Sequence, residues 1–357
     1  MRVIVVDDSA FMRRILKDLL DAEEDIEVIN CAEGPNAARA AIRELDPDVV
    51  TLDVEMPGMN GIDFLEKIMK LRPTPVVMVS SLTTRGADCS LAALELGAIE
   101  VVEKPLGSSG RGTFGARLAQ AVRTAANSPL ARSKTRSGTS SPPIAANSPT
   151  TQKASAPTFS TANLILLGAS TGGVSALSSV LQSFAKSSPP VVIAQHMPDT
   201  FIDRLADRLN ETMSLDVSVA RDGEVLGPGR VRFAPATSHV RLGGSSLTTK
   251  LSLDTQTGPV SGHIPSVDVL FQSGAELTGG GIVAALLTGM GRDGAIGMLK
   301  LREANAFCIA QDEATSVVFG MPGAAIKVGA PHAVLPIGDI GAQIAKFFPK
   351  QEGTPPC

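Results

Sequence analysis

The first hundred residues alternate between short apolar runs and helical patterns. Five runs have the length and the branched composition of buried strands, at 3–6, 26–29, 49–52, 76–79 and 99–102. Between them, apolar residues recur at three- and four-residue intervals, as they do from Phe11 to Leu20. Five strands that alternate with helices predict a parallel, doubly wound α/β sheet.

The same alternation returns after residue 160. A strand is predicted at Leu164–Leu167, and it is followed by a glycine-rich turn and a helical pattern that begins at Val174. Further strands are predicted at Val191–Ala194 and Ile282–Leu287. The chain is therefore expected to fold as two doubly wound, parallel-sheet α/β domains.

The segment between the two patterns has a different composition. Residues 125–160 are dominated by Ser, Thr, Pro, Ala and Asn and contain no acidic residue. Such a segment buries too little apolar surface to offset the entropy of ordering it, which predicts a flexible, mildly basic linker. A nucleic-acid-binding arm is the alternative interpretation. The predicted domains are 1–122 and 161–350, joined by a linker at 123–160.

Composition narrows the possible function classes. The chain of 357 residues has no Trp, no Tyr and 12 Phe, so its cores are aliphatic and aromatic platforms for nucleic-acid bases are scarce. The net charge of −4 also disfavours a general nucleic-acid-binding protein. The four cysteines lie far apart without a CxxC pair, which argues against a zinc site or a disulfide framework and fits a reducing compartment.

The sequence also bears on location and charge. Acidic residues begin at the seventh position, so no signal-peptide core is expected, and no apolar run reaches the roughly 20 residues of a membrane span. We therefore expect a cytoplasmic protein without membrane insertion.

Residues 1–105 contain 20 Asp and Glu against 11 Lys and Arg, whereas the remainder contains 16 Asp and Glu against 21 Lys and Arg. Two parts of opposite sign attract each other or meet different partners.

Polar side chains stand where the predicted strands of the first domain end. Asp7 and Asp8 follow the first strand, Asp53 ends the third, Ser80 ends the fourth, and Lys104 follows the fifth. In a parallel sheet these ends lie at one edge, where sites form. Clustered carboxylates favour an all-oxygen Mg²⁺ site, and one of them can act as a nucleophile toward a phosphoryl group. Each residue alone also has an ordinary interpretation as a helix cap, a loop residue or a surface cation.

These positions belong to longer motifs that resemble the receiver domain of two-component response regulators: VDDSAFMRR, LDVEMPGMNGIDFL, VVMVSS and EKP. The resemblance covers residues 1–105 and implies a flavodoxin-like fold in which Asp53 is phosphorylated. The further roles that it implies are Mg²⁺ binding by Asp7, Asp8 and Asp53, and contact with the phosphoryl group by Ser80 and Lys104.

The glycine-rich turn of the second domain carries a candidate nucleophile. Gly168 to Gly172 fits the pattern G-x-S-x-G, in which small residues let the chain turn sharply and expose the hydroxyl of Ser170. Free backbone N–H groups at the start of the next helix are placed to stabilise an oxyanion. The alternative is a phosphate-cradling turn of a nucleotide-binding fold, although this turn has neither G-x-G-x-x-G nor a P-loop lysine.

Two further polar residues are predicted at the same edge of the second sheet. His196 follows the strand at Val191–Ala194, and Asp293 follows the strand at Ile282–Leu287. One helix and one strand separate Ser170 from His196, which is the length of a crossover between neighbouring parallel strands. The three residues form a candidate triad, in which the imidazole takes the serine proton and the carboxylate orients the imidazole. The chain order Ser, His, Asp argues against an ordinary α/β-hydrolase fold.

Three other histidines compete with His196. His239 is predicted in a strand as a half-exposed structural residue, and His332 is predicted in a surface loop near the end of the chain. His263 opens a polar segment, HIPSVDVLF, that leads into a helix. It stays open as an alternative base or as a contact for the substrate.

Long motifs of the second domain resemble the CheB methylesterase family: GASTGG, QHMP, HIPSVDVLF, LTGMGRDGA and IAQDEATSVVFGMPGAA. The resemblance implies a Rossmann-like methylesterase domain in which Ser170 is the nucleophile, His196 the general base and acid, and Asp293 the orienting carboxylate. It also implicates the segment at Met290 in polarising the ester carbonyl. The Thr171 N–H is a second candidate donor by analogy with the nucleophile elbow. No cofactor is implied for the esterase reaction.

Together the two resemblances imply a phosphorylation-activated serine esterase. The implied enzyme removes methyl groups from glutamate esters on chemotaxis receptors, releases methanol, and is expected to deamidate particular receptor glutamines. A chemotaxis histidine kinase is the implied phosphodonor, and the receiver inhibits the catalytic cleft until Asp53 is phosphorylated. One departure concerns the switch, because Val101 stands where receivers usually carry Tyr or Phe.

Overall fold

The computed structural model describes residues 1–56, 59–80, 84–104, 111–128, 130–131, 159 and 161–348. The chain divides into two compact units, Met1–Ile144 and Ala145–Cys357. Most of the predicted linker at 123–160 lies outside the described residues, and the last long helix of the first unit runs on to Ala126. The domain limits given above therefore stay a prediction. In the described part of the chain, no helix is both long and apolar enough to cross a membrane.

The first unit is a five-stranded parallel sheet with helices along it. Its strands are β1 (Arg2–Val6), β2 (Glu27–Ala32), β3 (Val49–Asp53), β4 (Val76–Ser80) and β5 (Glu100–Glu103), in the order β2-β1-β3-β4-β5. Its helices are α1 (Ala10–Asp21), α2 (Pro35–Leu45), α3 (Gly61–Leu71), α4 (Thr84–Glu95) and α5 (Arg111–Ala126). All neighbouring strands pair in parallel, which confirms the predicted doubly wound sheet.

Burial explains why these segments form this sheet. β3 and β4 are buried at every position, as central strands of a parallel sheet covered on both faces must be. α1 turns Leu16 and Leu20 inward, four residues apart on one face of the helix. The side chain of Ser9 caps this helix by accepting a hydrogen bond from the Met12 N–H. The sheet therefore carries the residues that follow β1, β3, β4 and β5 on one well-packed edge.

The second unit is built on a seven-stranded parallel sheet with the order β14-β13-β12-β6-β7-β9-β8. Its strands are β6 (Leu164–Ala169), β7 (Val191–Gln195), β8 (Asp216–Val219), β9 (Arg230–Phe233), β12 (Ile282–Leu286), β13 (Phe307–Gln311) and β14 (Ala333–Leu335), and β10 (His239–Ser245) and β11 (Thr248–Asp254) form a separate antiparallel pair. Its helices are α6 (Gly173–Leu181), α7 (Asp199–Thr212), α8 (Val267–Ala275), α9 (Ala295–Glu303), α10 (Met321–Lys327) and α11 (Ile337–Ala345). The second predicted parallel-sheet domain is thereby confirmed.

The centre of this sheet sets the position of three loops. β6 lies between β12 and β7, and its register places Gly168 opposite Leu286 on one side and Ala169 opposite Gln195 on the other. The loops that leave these three strands therefore begin side by side at one edge of the sheet. Large apolar side chains, such as the fully buried Phe271 of α8, pack the sheet against its helices. The predicted triad residues lie in these three loops.

Candidate active site

The first unit gathers three carboxylates at the edge of its sheet. Asp7 and Asp8 follow β1, Asp53 ends β3, and each offers an oxygen within 4.8 Å of the others. Asp7 and Asp53 are buried, whereas Asp8 is exposed. An all-oxygen set with one open side fits Mg²⁺, which keeps several waters among its ligands. The residues predicted to hold this ion are thus brought together.

A buried lysine neutralises part of this cluster. Lys104 Nζ lies 2.9 Å from Asp7 Oδ2 and 2.9 Å from Asp53 Oδ2. Burial, with a smaller contribution from the charge of Asp7, raises the pKa of Asp53 above its ordinary value, because Lys104 offsets these effects only in part. Burial lowers the pKa of Lys104, but the two carboxylates more than compensate, and the pKa lies above its ordinary value. Ser80 ends the adjacent strand, and its carbonyl oxygen accepts a hydrogen bond from the Lys104 N–H at 2.7 Å.

The turn after β6 holds Ser170 through its backbone. The Ser170 N–H donates to the carbonyl of Thr288 at 3.0 Å, and the Gln195 amide donates to the carbonyl of Ser170 at 3.0 Å. Gly172 follows with φ of 78°, in the left-handed region that favours glycine. A Cβ there would lie 2.6 Å from the Cβ of Val317. The turn thus requires glycine, and the loops on both sides fix where the serine stands.

His196 and Asp293 form a direct contact at the same edge. The two atoms that meet are Nε2 of the imidazole and Oδ2 of the carboxylate, at 2.8 Å. Both side chains are buried, with exposed fractions of 7% and 1%. The other imidazole nitrogen, Nδ1, is buried and has no hydrogen-bond partner in the described part of the chain. The ring of His263 lies parallel to that of His196, with centroids 3.8 Å apart and planes inclined by 8°.

The Asp293 carboxylate is held at the start of α8. Its Oδ1 accepts from the Ser266 hydroxyl at 2.8 Å and from the Asp268 N–H at 3.0 Å, and its Oδ2 accepts from the Val267 N–H at 2.7 Å. Burial raises the pKa of Asp293, but the hydrogen bonds from His196 and from the backbone outweigh it. The pKa therefore lies below its ordinary value, and the carboxylate is ionised at neutral pH.

Ser170 and His196 are brought together by strand register rather than by a side-chain hydrogen bond. They are the next residues after the opposed pair Ala169 and Gln195, and the His196 N–H donates to the Ala169 carbonyl at 3.1 Å. The structure thus joins His196 to Asp293 directly and places Ser170 on the neighbouring strand end. The buried Nδ1 of His196 is left as the ring nitrogen that can accept the serine proton.

Two predicted oxyanion donors flank the serine. The Thr171 carbonyl accepts a hydrogen bond from the Thr288 hydroxyl at 2.9 Å, while its N–H has no acceptor among the described residues. Met290 follows Gly289, which packs directly on the serine, since a Cβ at that glycine would lie 2.7 Å from the Cβ of Ser170. Both residues therefore lie in loops that contact the turn of Ser170.

Comparisons with known proteins identify the families to which the two parts of the chain are similar. The family described as CheB methylesterase matches residues 165–344, and the family described as response regulator receiver domain matches residues 3–110. The chain belongs to the CheB methylesterase family. It is 48% identical over 352 residues to the protein-glutamate methylesterase/protein-glutamine glutaminase of Agrobacterium fabrum, across 97% of this chain and 96% of that protein. The protein of the same name from Escherichia coli K12 is 47% identical over 346 residues, across 96% and 95%.

A solved structure is similar to part of this chain. The crystal structure of the Thermotoga maritima CheB methylesterase catalytic domain is 35% identical, and it covers 52% of this chain and 97% of its own, with a TM-score of 0.49. The family matches and the two parallel sheets confirm the predicted fold class, a receiver domain and a CheB-type domain in one chain. The two family resemblances seen in the sequence are therefore confirmed.

Sequence reasoning missed several residues of this CheB-type site. Ser266 and the start of α8 hold Asp293, whereas within the motif HIPSVDVLF the sequence suggests a candidate role for the histidine alone. The prediction that His239 is half-exposed is wrong, because its ring is fully buried and its Nδ1 accepts from the Ser266 N–H at 3.0 Å. The turn after β12 reads G-x-G-x-x-G from Gly289 to Gly294, a pattern that is also found in nucleotide-binding turns, and here it contains Asp293.

His332 lies away from the triad. Its ring is half-buried against the ring of Phe307, with centroids 5.2 Å apart, and its Nδ1 accepts from the Cys308 N–H at 3.1 Å. Burial lowers the pKa of His332 below its ordinary value. This residue has a structural place in the fold, and His263 is the competing histidine that reaches the site.

Proposed function

We propose that the protein is a serine esterase that hydrolyses methyl esters of glutamate side chains on chemotaxis receptors. The observation that carries the proposal is the 2.8 Å contact between His196 Nε2 and Asp293 Oδ2, formed at the strand ends beside Ser170. The relatives named protein-glutamate methylesterase/protein-glutamine glutaminase support the substrate class. The same chemistry extends to receptor glutamines, with ammonia as the leaving group.

The first half of the proposed reaction forms an acyl-enzyme. Nδ1 of His196 accepts the proton of the Ser170 hydroxyl while the serine oxygen attacks the γ-carbonyl carbon of the ester. The carbonyl oxygen becomes an oxyanion, for which the N–H groups of Thr171 and Met290 are the candidate donors. The bond to the methoxy oxygen then breaks, and His196 gives its proton to that oxygen so that methanol departs.

Water completes the reaction in the second half. His196 takes a proton from the water as the water oxygen attacks the acyl carbon, and it returns that proton to the oxygen of Ser170 as the ester bond breaks. The reaction regenerates the hydroxyl of Ser170 and leaves a glutamic acid side chain, which ionises. Asp293 stays ionised throughout and stabilises the imidazolium that forms in each half.

We further propose that the first unit is phosphorylated on Asp53 by a chemotaxis histidine kinase. Lys104 Nζ, at 2.9 Å from Asp53 Oδ2, is placed to pair with a phosphoryl group on that residue, and Ser80 supplies a hydroxyl at the same edge. Asp7 and Asp8 together with Asp53 would hold Mg²⁺. When bound, this ion would supply positive charge that offsets the negative charge of the carboxylates and of a phosphoryl group.

The receiver is proposed to restrict the catalytic cleft until it is phosphorylated. A receptor helix is a wide substrate, so its site must be an open cleft, which a second protein surface is able to cover. The excess of basic residues outside 1–105 lies in 106–144, because residues 145–357 contain 16 Asp and Glu against 15 Lys and Arg. Net charge therefore gives no attraction between the two units. A phosphoryl group adds up to about two negative charges at Asp53 and so changes the receiver surface that is proposed to cover the cleft.

Methanol release from methyl-labelled receptor tests the esterase proposal. The variant Ser170→Ala is expected to fold normally and to release no methanol above background, because no acyl-enzyme forms without the hydroxyl. Ser252→Ala is the matched control, since Ser252 is exposed on β11, away from the triad loops. Retained activity in the Ser170 variant would refute the assignment of the nucleophile.

A further inference from the structure

Two imidazole rings lie face to face at the catalytic edge of the second unit. The centroids of His196 and His263 are 3.8 Å apart, and the planes differ by 8°. The half-buried side chain of His263 has no hydrogen bond to another described residue, so the stack is the contact through which it reaches the triad. The proposed reaction uses the ring of His196 for proton transfer and assigns no role to the ring of His263.

The segment that carries His263 is braced at both ends by a buried imidazole. His239 Nε2 lies 3.1 Å from the carbonyl oxygen of Gly258, and His239 Nδ1 accepts from the N–H of Ser266 at 3.0 Å. Within the segment, Val260 and His263 exchange two backbone hydrogen bonds, at 3.1 Å and 3.0 Å. A segment held in this way fixes the position of the His263 ring.

A buried carboxylate connects this segment to the triad. The Asp268 side chain accepts from the Ser261 hydroxyl at 3.3 Å and from the Gly297 N–H at 2.7 Å. Its backbone N–H donates to Asp293 at 3.0 Å. Asp268 thus links the segment of His263, the start of α9 and the orienting carboxylate. The segment that carries His263 and the carboxylate of Asp293 therefore belong to one hydrogen-bonded framework.

The ring of His196 needs support of this kind. It has one side-chain hydrogen bond, through Nε2 to Asp293, and its Nδ1 has no partner among the described residues. A single hydrogen bond allows the ring to tilt about the line that joins Nε2 to Oδ2, and such a tilt would swing Nδ1 away from the serine hydroxyl. A parallel ring at 3.8 Å blocks that tilt on one face.

We propose that His263 is a positioning residue, whose ring holds the imidazole of His196 in the plane that joins Asp293 to Ser170. This inference rests on the proposed esterase function and deepens it. The stack also stabilises the positive charge that develops on His196 during the proposed reaction, because the face of an aromatic ring attracts a cation. Burial lowers the pKa of His263, the charge of His196 lowers it further, and Asp293 opposes them only in part, so His263 stays neutral at pH 7.

Three substitutions separate stacking from hydrogen bonding. His263→Phe keeps a flat ring without nitrogens, His263→Gln keeps polar atoms without a ring, and His263→Ala removes both. We expect the Phe variant to keep kcat within about threefold, because the ring face is retained, and the Ala and Gln variants to lose roughly 10- to 100-fold in kcat with little change in KM. His332→Ala is the matched control, since it removes a histidine that stacks on Phe307 away from the triad.

A proton resonance provides a readout that does not need substrate. The Nε2–H of His196 is hydrogen-bonded to Asp293, and we expect it to give a downfield signal in the proton NMR spectrum of the full chain. We expect this signal to persist in the Phe variant and the His332 control, and to broaden or disappear in the Ala and Gln variants. Circular dichroism checks that each variant is folded. If one variant does not fold, the comparison is made between the other two.

The positioning role of His263 is overturned if the Gln variant keeps wild-type kcat while the Phe variant loses it, because His263 would then act through its nitrogens. It is equally overturned if the Ala variant keeps both kcat and the downfield signal. If the wild-type protein releases no methanol, the esterase proposal fails on its own, and the signal in the Phe and Ala variants still shows whether the stack positions His196.

Discussion

His196 presents Nε2, rather than Nδ1, to the carboxylate of Asp293, and the distance between Nε2 and Oδ2 is 2.8 Å. Because Asp293 is ionised, the proton of the neutral imidazole lies on Nε2 and the lone pair lies on the buried Nδ1. The nitrogen available to the Ser170 hydroxyl is thus the one nearer the backbone, so the turn of β6 and the end of β7 must approach closely. The register that places Ala169 opposite Gln195 provides this approach.

The first prediction concerns the orienting carboxylate. Asp293→Asn replaces one acceptor oxygen by an N–H₂ donor, which favours the wrong tautomer of His196. We expect kcat to fall roughly 10³- to 10⁴-fold, as expected for a triad that loses its carboxylate. Methanol release under single-turnover conditions measures the effect, and Asp339→Asn, at an exposed position of α11, is the control. A loss of less than tenfold would show that Asp293 does not orient the base.

The second prediction is a pH dependence of stability from the same residue. The folded-state pKa of Asp293 is lowered, so its carboxylate stabilises the fold above the ordinary carboxyl pKa, and this stabilisation is lost as the pH falls through the folded value. Wild type and Asp293→Asn should therefore differ most at neutral pH and converge in acid. Calorimetry of the second unit's transition at several pH values measures this, and a gap that widens in acid would contradict it.

The third prediction concerns the turn that carries the nucleophile. Gly172→Ala forces a side chain into the left-handed region at φ of 78° and against the Cβ of Val317 at 2.6 Å. We expect a loss of about 1–3 kcal/mol from the backbone conformation alone, together with a loss of esterase activity. Thermal unfolding measures the stability, and Gly338→Ala is the control because no atom lies within 4 Å of a Cβ there. Equal melting temperatures for the two variants would contradict the prediction.

The fourth prediction concerns the receiver. A small acyl phosphate together with Mg²⁺ should raise methanol release by the full chain, whereas Asp53→Asn should keep the basal rate and lose the stimulation. Chelation of Mg²⁺ should also abolish the stimulation of wild type, because Asp7, Asp8 and Asp53 form the oxygen cluster. Asp63→Asn, an exposed carboxylate at the start of α3, serves as the control. Stimulation that persists in the Asp53 variant would place the phosphoryl acceptor elsewhere.

The sequence allowed the strand ends to be predicted well. Asp53 and His196 each follow or end an apolar run, and a parallel sheet brings such ends to one edge regardless of loop details. What could not be predicted lies in the connecting segments. The stack of His263 on His196 and the hold of Ser266 on Asp293 depend on the path of a segment without hydrophobic periodicity. No spacing rule gives that path.

The β10–β11 pair shows the same limit for the fold. His239 stands at the start of β10, where the alternation of a strand predicts one face toward solvent. The pair packs on α8, so the ring is buried instead and becomes part of the support for the site. Tertiary packing, which local pattern does not encode, decided this position.

The carboxylate of Asp293 also works as a second cap for α8. Ser266 accepts a hydrogen bond from the third N–H of that helix, while Asp293 takes the N–H groups of Val267 and Asp268 at its first turn. One side chain therefore caps a helix and also serves the proposed catalysis. Natural variants that lose Asp293 would lose stability of the fold along with activity. Relatives that have lost the Ser170 hydroxyl, and with it the activity, should therefore still carry an acidic residue at the position of Asp293.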